Sequence, residues 1–316
     1  MDSFITKLSK HCYYGNITNI LNYFGDNLSE AELVLLSGAL NCDLKTESNI
    51  FLGMSNDLCV QGLEKVNYQI KQIDNNYLIY KSLLEKGIPI LLLINTSALT
   101  HSNVFKGTNR NHCIVLIKEN DATMEISDSF VRTIPMSVFH GDVDASSIRD
   151  EIQANRTSGI YVERQRNSNN QYNIPSAIFD HIRLNTFPSN KSIINILKTF
   201  CNMAIKNIEI LFNKESLNDL AYEFKVAGMV TRFDYMMELF EKYLYGYQID
   251  TESLSILKTK WELIASKLMK CSFVLNRDYY LKIFEVEIPI LIDKEMHFYQ
   301  ETYKKMKSFN NRRIEQ

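Results

Sequence analysis

At 316 residues, 45% apolar and 23% charged, the chain has the composition of one large or two ordinary globular domains. Its formal net charge of −2 supplies no general basic field for nucleic acid. The longest apolar run, residues 88–94, falls far short of the roughly 20 residues that span a bilayer, and residues 1–7 lack the basic and apolar regions of a signal peptide.

Near the start, Ile17, Ile20, Leu21 and Phe24 recur at i, i+3, i+4 and i+7, the spacing of one buried helical face. Gly25 follows, where a helix commonly ends with positive φ. Cys12 therefore sits at or just before the first turn of a buried helix. The partial positive charge of a helix N-terminus favours thiolate over thiol, which suits a nucleophile; the plainer reading is a small buried hydrophobe.

Residues 26–38 read as a second helix, with Ser29 and Glu32 spaced as a capping box. Residues 41–53 are mixed, with strand character around 49–52, and 59–66 form a weak helix. A strand is expected over 66–70 and a helix over 75–86, closed by Gly87. Residues 88–94, apolar on both faces, read as a central strand with Pro89 near its beginning. Residues 95–111 read as a polar loop in which His101 is solvated. Strands follow at 112–118 and 124–128, then at 131–134 before Pro135, and last at 159–163.

The polar stretch 164–171 reads as a linker. Beyond it, helical spacing runs through 192–213, 216–245, 251–274 and 278–308, with Pro289 expected to kink or break the last. The expected organisation is an α+β domain over 1–165 and a mostly helical domain over 172–316.

The six cysteines, at 12, 42, 59, 113, 201 and 271, form no CxxC pair and no disulfide-dense pattern, which suits a reduced, cytoplasmic protein. The dipeptides His11-Cys12 and His112-Cys113 are poor zinc pairs, because neighbouring strand residues point to opposite faces.

A three-residue turn at 119–121 would set Leu116 opposite Met124, Ile114 opposite Ile126 and His112 opposite Asp128. The apolar members make this the buried face; Thr123, Glu125 and Ser127 mark the other as solvated. A buried aspartate needs a partner, and His112 is the nearest. A carboxylate on one ring nitrogen leaves the other free to act as a base, and Cys12 is the candidate nucleophile. The plainer reading is a structural pair at a sheet end. His140, His181 and His297 have no comparable acidic partner, and Cys113, on the face opposite His112, is expected to pack.

At these residues, His11-Cys12 before a short helix, Gly87-Ile88-Pro89-Ile90-Leu91-Leu92, and Asn111-His112-Cys113-Ile114-Val115-Leu116 with Asp128, the chain resembles the N-terminal domain of the butirosin-biosynthesis acyltransferase (BtrH) family. That family looks like a relative of C39-type, papain-like cysteine peptidases. Residues 228–236 and 261–265 carry a fainter similarity to the family's C-terminal domain. The resemblance implies an N-terminal domain of papain-like, C39-like type and an acyl group moved from a carrier-protein thioester to an amine. Cys12 matches the nucleophile, His112 the base and Asp128 the orienting carboxylate. No glutamine precedes Cys12 to furnish an oxyanion donor, and Ser129 stands where C39-type sequences often have proline; the expected donors are the Cys12 backbone N–H and the Asn16 side chain.

Three functions follow as expectations: a cysteine-dependent acyltransferase of specialised metabolism, a cysteine hydrolase or peptidase on the same residues, and a non-catalytic binding protein on a decayed peptidase-like fold. The first implies an acyl or peptidyl carrier domain bearing a phosphopantetheine thioester and a small-molecule amine as partners, with no bound cofactor or metal and no nucleic acid or membrane. The helical half would shape the acceptor pocket. Lys304, Lys305, Lys307, Arg312 and Arg313 would meet the carrier, or form a solvated helix end.

Overall fold

The computed structural model describes residues 3–46, 51–74, 76–106, 108–165, 172–226 and 228–314, with side chains to 311. In chain order the elements are α1 (Cys12–Tyr23), α2 (Glu30–Leu36), β1 (Asp43–Lys45), β2 (Phe51–Gly53), α3 (Cys59–Lys65), β3 (Tyr68–Ile73), α4 (Tyr77–Glu85), β4 (Ile90–Asn95), β5 (Asn111–Glu119), β6 (Thr123–Val131), β7 (Ser137–Asp144), α5 (Ala145–Gln153) and β8 (Ser158–Arg164). Helices follow: α6 (Ile174–Thr186), α7 (Ile193–Lys206), α8 (Ile208–Leu211), α9 (Lys214–Val226), α10 (Thr231–Tyr243), α11 (Thr251–Val274), α12 (Arg277–Lys282) and α13 (Ile288–Ile314). The protein is thus α+β with a helical C-terminal region, and no described helix is long and apolar enough to cross a membrane. Asn49, Ile50, Asn75, Gly107 and most of the expected linker, 166–171, lie outside the described residues.

Two compact units divide the chain, and they do not follow its order: 1–33 with 63–171, and 34–62 with 172–316. Segment 34–62, expected with the N-terminal domain, packs instead with the C-terminal helices. Asn185 on α6 donates to Asn41 Oδ1 at 2.9 Å, and Cys42 Sγ lies 3.7 Å from Met229 Sδ.

The first unit is built on an antiparallel six-stranded sheet in the order β3-β8-β4-β5-β6-β7. Ile90, Leu92, Ile94, Ile114, Leu116, Met124 and Ile126 form one apolar core with Leu84 of α4 and Ile148 and Ile152 of α5. The alternation read from β5 and β6 therefore marks the core face correctly. The opposite face is solvated only in part: Thr123 and Glu125 are partly exposed, but its other end is covered. Helix α1 packs on β5 and β6, and Cys113, Val115, Ser127 and Ser129 beneath it are all buried. Ser127 is closed off because Thr6 Oγ1, in the segment leading into α1, donates to its hydroxyl at 2.7 Å.

The β5–β6 register differs from expectation in an instructive way. The turn is tighter, with Glu119 opposite Met124 and Lys118 opposite Glu125. Continued unchanged, that pairing would place Asp128 on the wrong face for His112. A bulge between Leu116 and Lys118 restores the parity, giving Leu116 opposite Ile126 and Val115 opposite Ser127. Continuing this register sets Asp128 opposite Ile114, so Asp128 and His112 are same-face diagonal neighbours rather than directly opposed. The strand expected at 131–134 is absent: Val131 ends β6, and the next strand is β7.

In the second unit, α9 and α11 pack as a pair, α11 and α7 against α13, and α6 against α13. The long final helix is interrupted before Pro289 by a π-helical turn, Ile283–Glu287. Pro289 has no N–H to donate back into the preceding turn, which is where the helical ladder widens. Trp261 is fully buried and donates its indole N–H to Glu295 at 3.1 Å.

Candidate active site

Helix α1 begins at Cys12, and His11 is its N-cap. The His11 ring accepts the Tyr13 N–H at Nδ1, 3.3 Å away, which requires that nitrogen unprotonated. Burial lowers the His11 imidazole from its ordinary value and keeps it neutral for this role. The backbone leading into the helix is strapped by Glu30, whose carboxylate accepts the N–H groups of Lys10 and His11 at 2.9 Å each. Ser29 and Glu32 form the capping box read from their spacing: Glu32 N–H donates to Ser29 Oγ, and Ser29 N–H to Glu32.

Gly15 is required by close approach. A Cβ there would lie 2.0 Å from the Ser9 Cβ and 3.1 Å from the Ser129 hydroxyl, while Ser9 N–H donates to the Ser129 carbonyl at 2.9 Å. Asn16 locks the next turn. Its Nδ2 donates to the Cys113 carbonyl at 2.8 Å and its Oδ1 accepts the Ser129 N–H at 3.3 Å, with the side chain fully buried. Asn16 was expected as an oxyanion donor; the structure uses it as a clamp between α1, β5 and β6. The N-terminus of α1 is thereby held at the sheet end where β5 starts and β6 finishes.

At that end the structure brings together Cys12, His112 and Asp128. His112 Nε2 lies 2.9 Å from Asp128 Oδ2, with both side chains buried. This leaves Nδ1 for the sulfur, and the Cys12 and His112 side chains act on one another as hydrogen-bonding neighbours. Of the six cysteines, Cys12 alone is partly exposed; the other five are buried.

Burial works against charge on Asp128, but hydrogen bonds from His101 and His112 prevail and hold its carboxyl far below the usual carboxylate range. Burial likewise opposes the His112 imidazolium, yet the bonds to Asp128 and Cys12 push it up to about 10. The Cys12 thiol falls well below its ordinary value. Its hydrogen bond with Cys113 is the largest cause; burial opposes, and the hydrogen bond and charge of His112 add to the lowering. Cys113 moves the opposite way, because it donates to Cys12 and is buried. Both shifts favour the thiolate at Cys12, the sulfur at the helix N-terminus.

Two expectations are corrected here. His101 is not solvated: its side chain is 1% exposed and its Nε2 lies 3.0 Å from the same Asp128 oxygen. Cys113 does more than pack, since its thiol faces Cys12. His140 also has an acidic partner, Glu125 Oε1 at 2.9 Å, at a partly exposed position on the β6–β7 pair. Sequence reasoning missed Arg132 as well, a half-buried cation whose charge interacts with Cys12 and Asp128. One signal could have found His101. The 96–110 loop joins antiparallel neighbours β4 and β5, whose pairing ends at Asn95 opposite Asn111, so its residues must hang beside the start of β5.

No family model and no curated protein matches the chain. Among solved structures, it is similar to a protein from Bacillus anthracis described as a C39-like peptidase. The two are 13% identical, with a TM-score of 0.36, over 52% of this chain and 96% of that one.

Proposed function

We propose that the protein is a cysteine-dependent acyl-transfer enzyme of papain-like type, working through a thioester on Cys12. One observation carries the reading: the single partly exposed cysteine starts a buried helix and interacts with a histidine whose Nε2 is held by a buried aspartate. In this mechanism His112 accepts the Cys12 proton, and the thiolate attacks the acyl carbonyl. The tetrahedral intermediate collapses to an acyl-enzyme and releases the leaving thiol, protonated by His112. Asp128 keeps the ring oriented and favours the imidazolium. The Cys12 backbone N–H, in the first turn where helical N–H groups lack intrahelical acceptors, serves as the oxyanion donor in this reading.

The family resemblance directs the reading further, to an amine as acceptor and to a phosphopantetheine thioester on an acyl or peptidyl carrier domain as donor. His112 then takes the proton of the attacking amine, and exclusion of water favours amide over acid. Incubation with a short acyl thioester of N-acetylcysteamine tests this. Intact-protein mass spectrometry should show one acyl group on Cys12, and adding a primary amine should discharge it faster than buffer alone. Discharge by water only would make the protein a hydrolase on the same residues. Absence of any acyl-enzyme from this and from carrier-bound donors, with Cys12 unreactive, would leave a binding protein.

A further inference from the structure

Asp128 serves two histidines, and the mechanism above uses one. His101 Nε2 and His112 Nε2 approach the same oxygen, Oδ2, at 3.0 and 2.9 Å. The other oxygen, Oδ1, accepts the Phe130 N–H at 3.0 Å. We propose that His101 is a positioning residue of the site, a fixed donor that orients the carboxylate on which His112 depends. This rests on the triad reading of Cys12, His112 and Asp128 and extends it to a fourth side chain.

The chemistry of the His101 ring supports the assignment. A carboxylate oxygen only accepts, so Nε2 of His101 carries a proton. Its Nδ1 is buried with no hydrogen-bond partner. His101 is thus placed to donate to Asp128 and to nothing else. Aromatic rings hold the orientation: Phe105 edge-on at 5.1 Å and Phe139 at 4.7 Å from the His101 ring. Phe105 also lies 5.2 Å from the His112 ring, so one side chain fixes the spacing of both imidazoles.

The other titratable groups facing this carboxylate are His112 and Cys113 from β5 and Arg132 beyond β6, with Cys12 from α1 facing His112. None replaces the hydrogen bond that His101 makes. Without it, a fully buried carboxylate keeps one imidazole donor and one backbone N–H. Its charged form is then lost at higher pH, and the imidazolium–thiolate pair is lost with it.

The test needs no substrate. The rate of Cys12 alkylation by iodoacetamide is followed against pH in the full chain, by intact mass. In the wild type, reactivity should persist well below the ordinary thiol range. In His101→Phe the acid limb should move up by about one pH unit, whereas His101→Gln, whose amide donates from nearly the same place, should keep the wild-type limb. If His101→Phe does not fold, His101→Met against His101→Gln makes the same comparison at matched length. A lower melting temperature with an unmoved acid limb would overturn the proposal and leave His101 a packing residue. An ordinary thiol limb in the wild type itself would instead overturn the triad reading.

Discussion

Among the described residues, each unit contains a deeply buried ionic cluster, and these two differ in how completely they are closed. In the helical unit, the Arg232 guanidinium meets Glu295 in a fork, Nη1 to Oε1 and Nη2 to Oε2 at 2.6 Å each. Arg232 Nε donates to the Met229 carbonyl at 3.1 Å, Trp261 donates to Glu295, and both charged side chains are 0% exposed. Beside it, burial first and then the Arg232 charge drive His181 down to about 3, so it stays neutral. Every charge there is answered by an opposite one. In the sheet unit, the charges run from Asp128 through His112 to a sulfur that is partly exposed. A buried ion pair costs desolvation energy and is weak evidence for stability; what separates scaffold from reactive site is whether the chain of charges ends on an accessible nucleophile.

Replacements that cut each cluster should separate these roles. The largest effect is expected for Cys12→Ala, which should abolish acyl-enzyme formation while leaving circular dichroism and melting temperature near wild type. Full transfer activity in this variant would sink the covalent route. Asp128→Asn comes next, with a fall in acylation rate on the order of 10²–10⁴ at unchanged fold, read by single-turnover mass spectrometry. It should also flatten the acid side of the stability curve. A carboxyl held below its unfolded value of 3.8 contributes stability that is full above that value and lost as pH falls through the folded one. The asparagine variant lacks this component, which urea melts at stepped pH would show.

Glu295→Ala tests the closed cluster. It strands Arg232 in an apolar surround and should cost about 3–5 kcal/mol, seen as a lowered urea midpoint. The double variant Arg232→Met, Glu295→Leu should recover most of that loss, and failure to recover would give the pair a role beyond balancing its own charges. The smallest effect is expected at the support of the reactive end. Gly15→Ala forces a methyl group against Ser9, for about 1–3 kcal/mol of overpacking strain. Ser9→Gly in the same chain should relieve it. A Gly15→Ala variant as stable as wild type, with unchanged Cys12 alkylation, would show that the leading segment has room the structure denies it.

Much of this was written locally. The i, i+3, i+4 pattern from Ile17 to Leu21 makes a buried helix whatever it packs on, and the Gly25 φ of +92° supplies the turn that ends it. The alternation of Ile114, Leu116, Met124 and Ile126 named the core face, and strand parity placed His112 and Asp128 on it, because side-chain period and chain spacing are local quantities. Three features were decided only by the folded chain. The bulge between Leu116 and Lys118 that rescues the parity leaves no mark in composition. Burial of His101 depends on where a polar loop lands, which its own residues do not specify. Burial of Ser127 depends on an N-terminal segment more than a hundred residues away, whose Thr6 reaches its hydroxyl. The grouping of 34–62 with the C-terminal helices is likewise set by long-range packing. Local pattern fixes which face of an element is apolar; only tertiary contact fixes what covers the other face, where the Cys113 thiol joins the site, and which loop brings a second histidine to the core side.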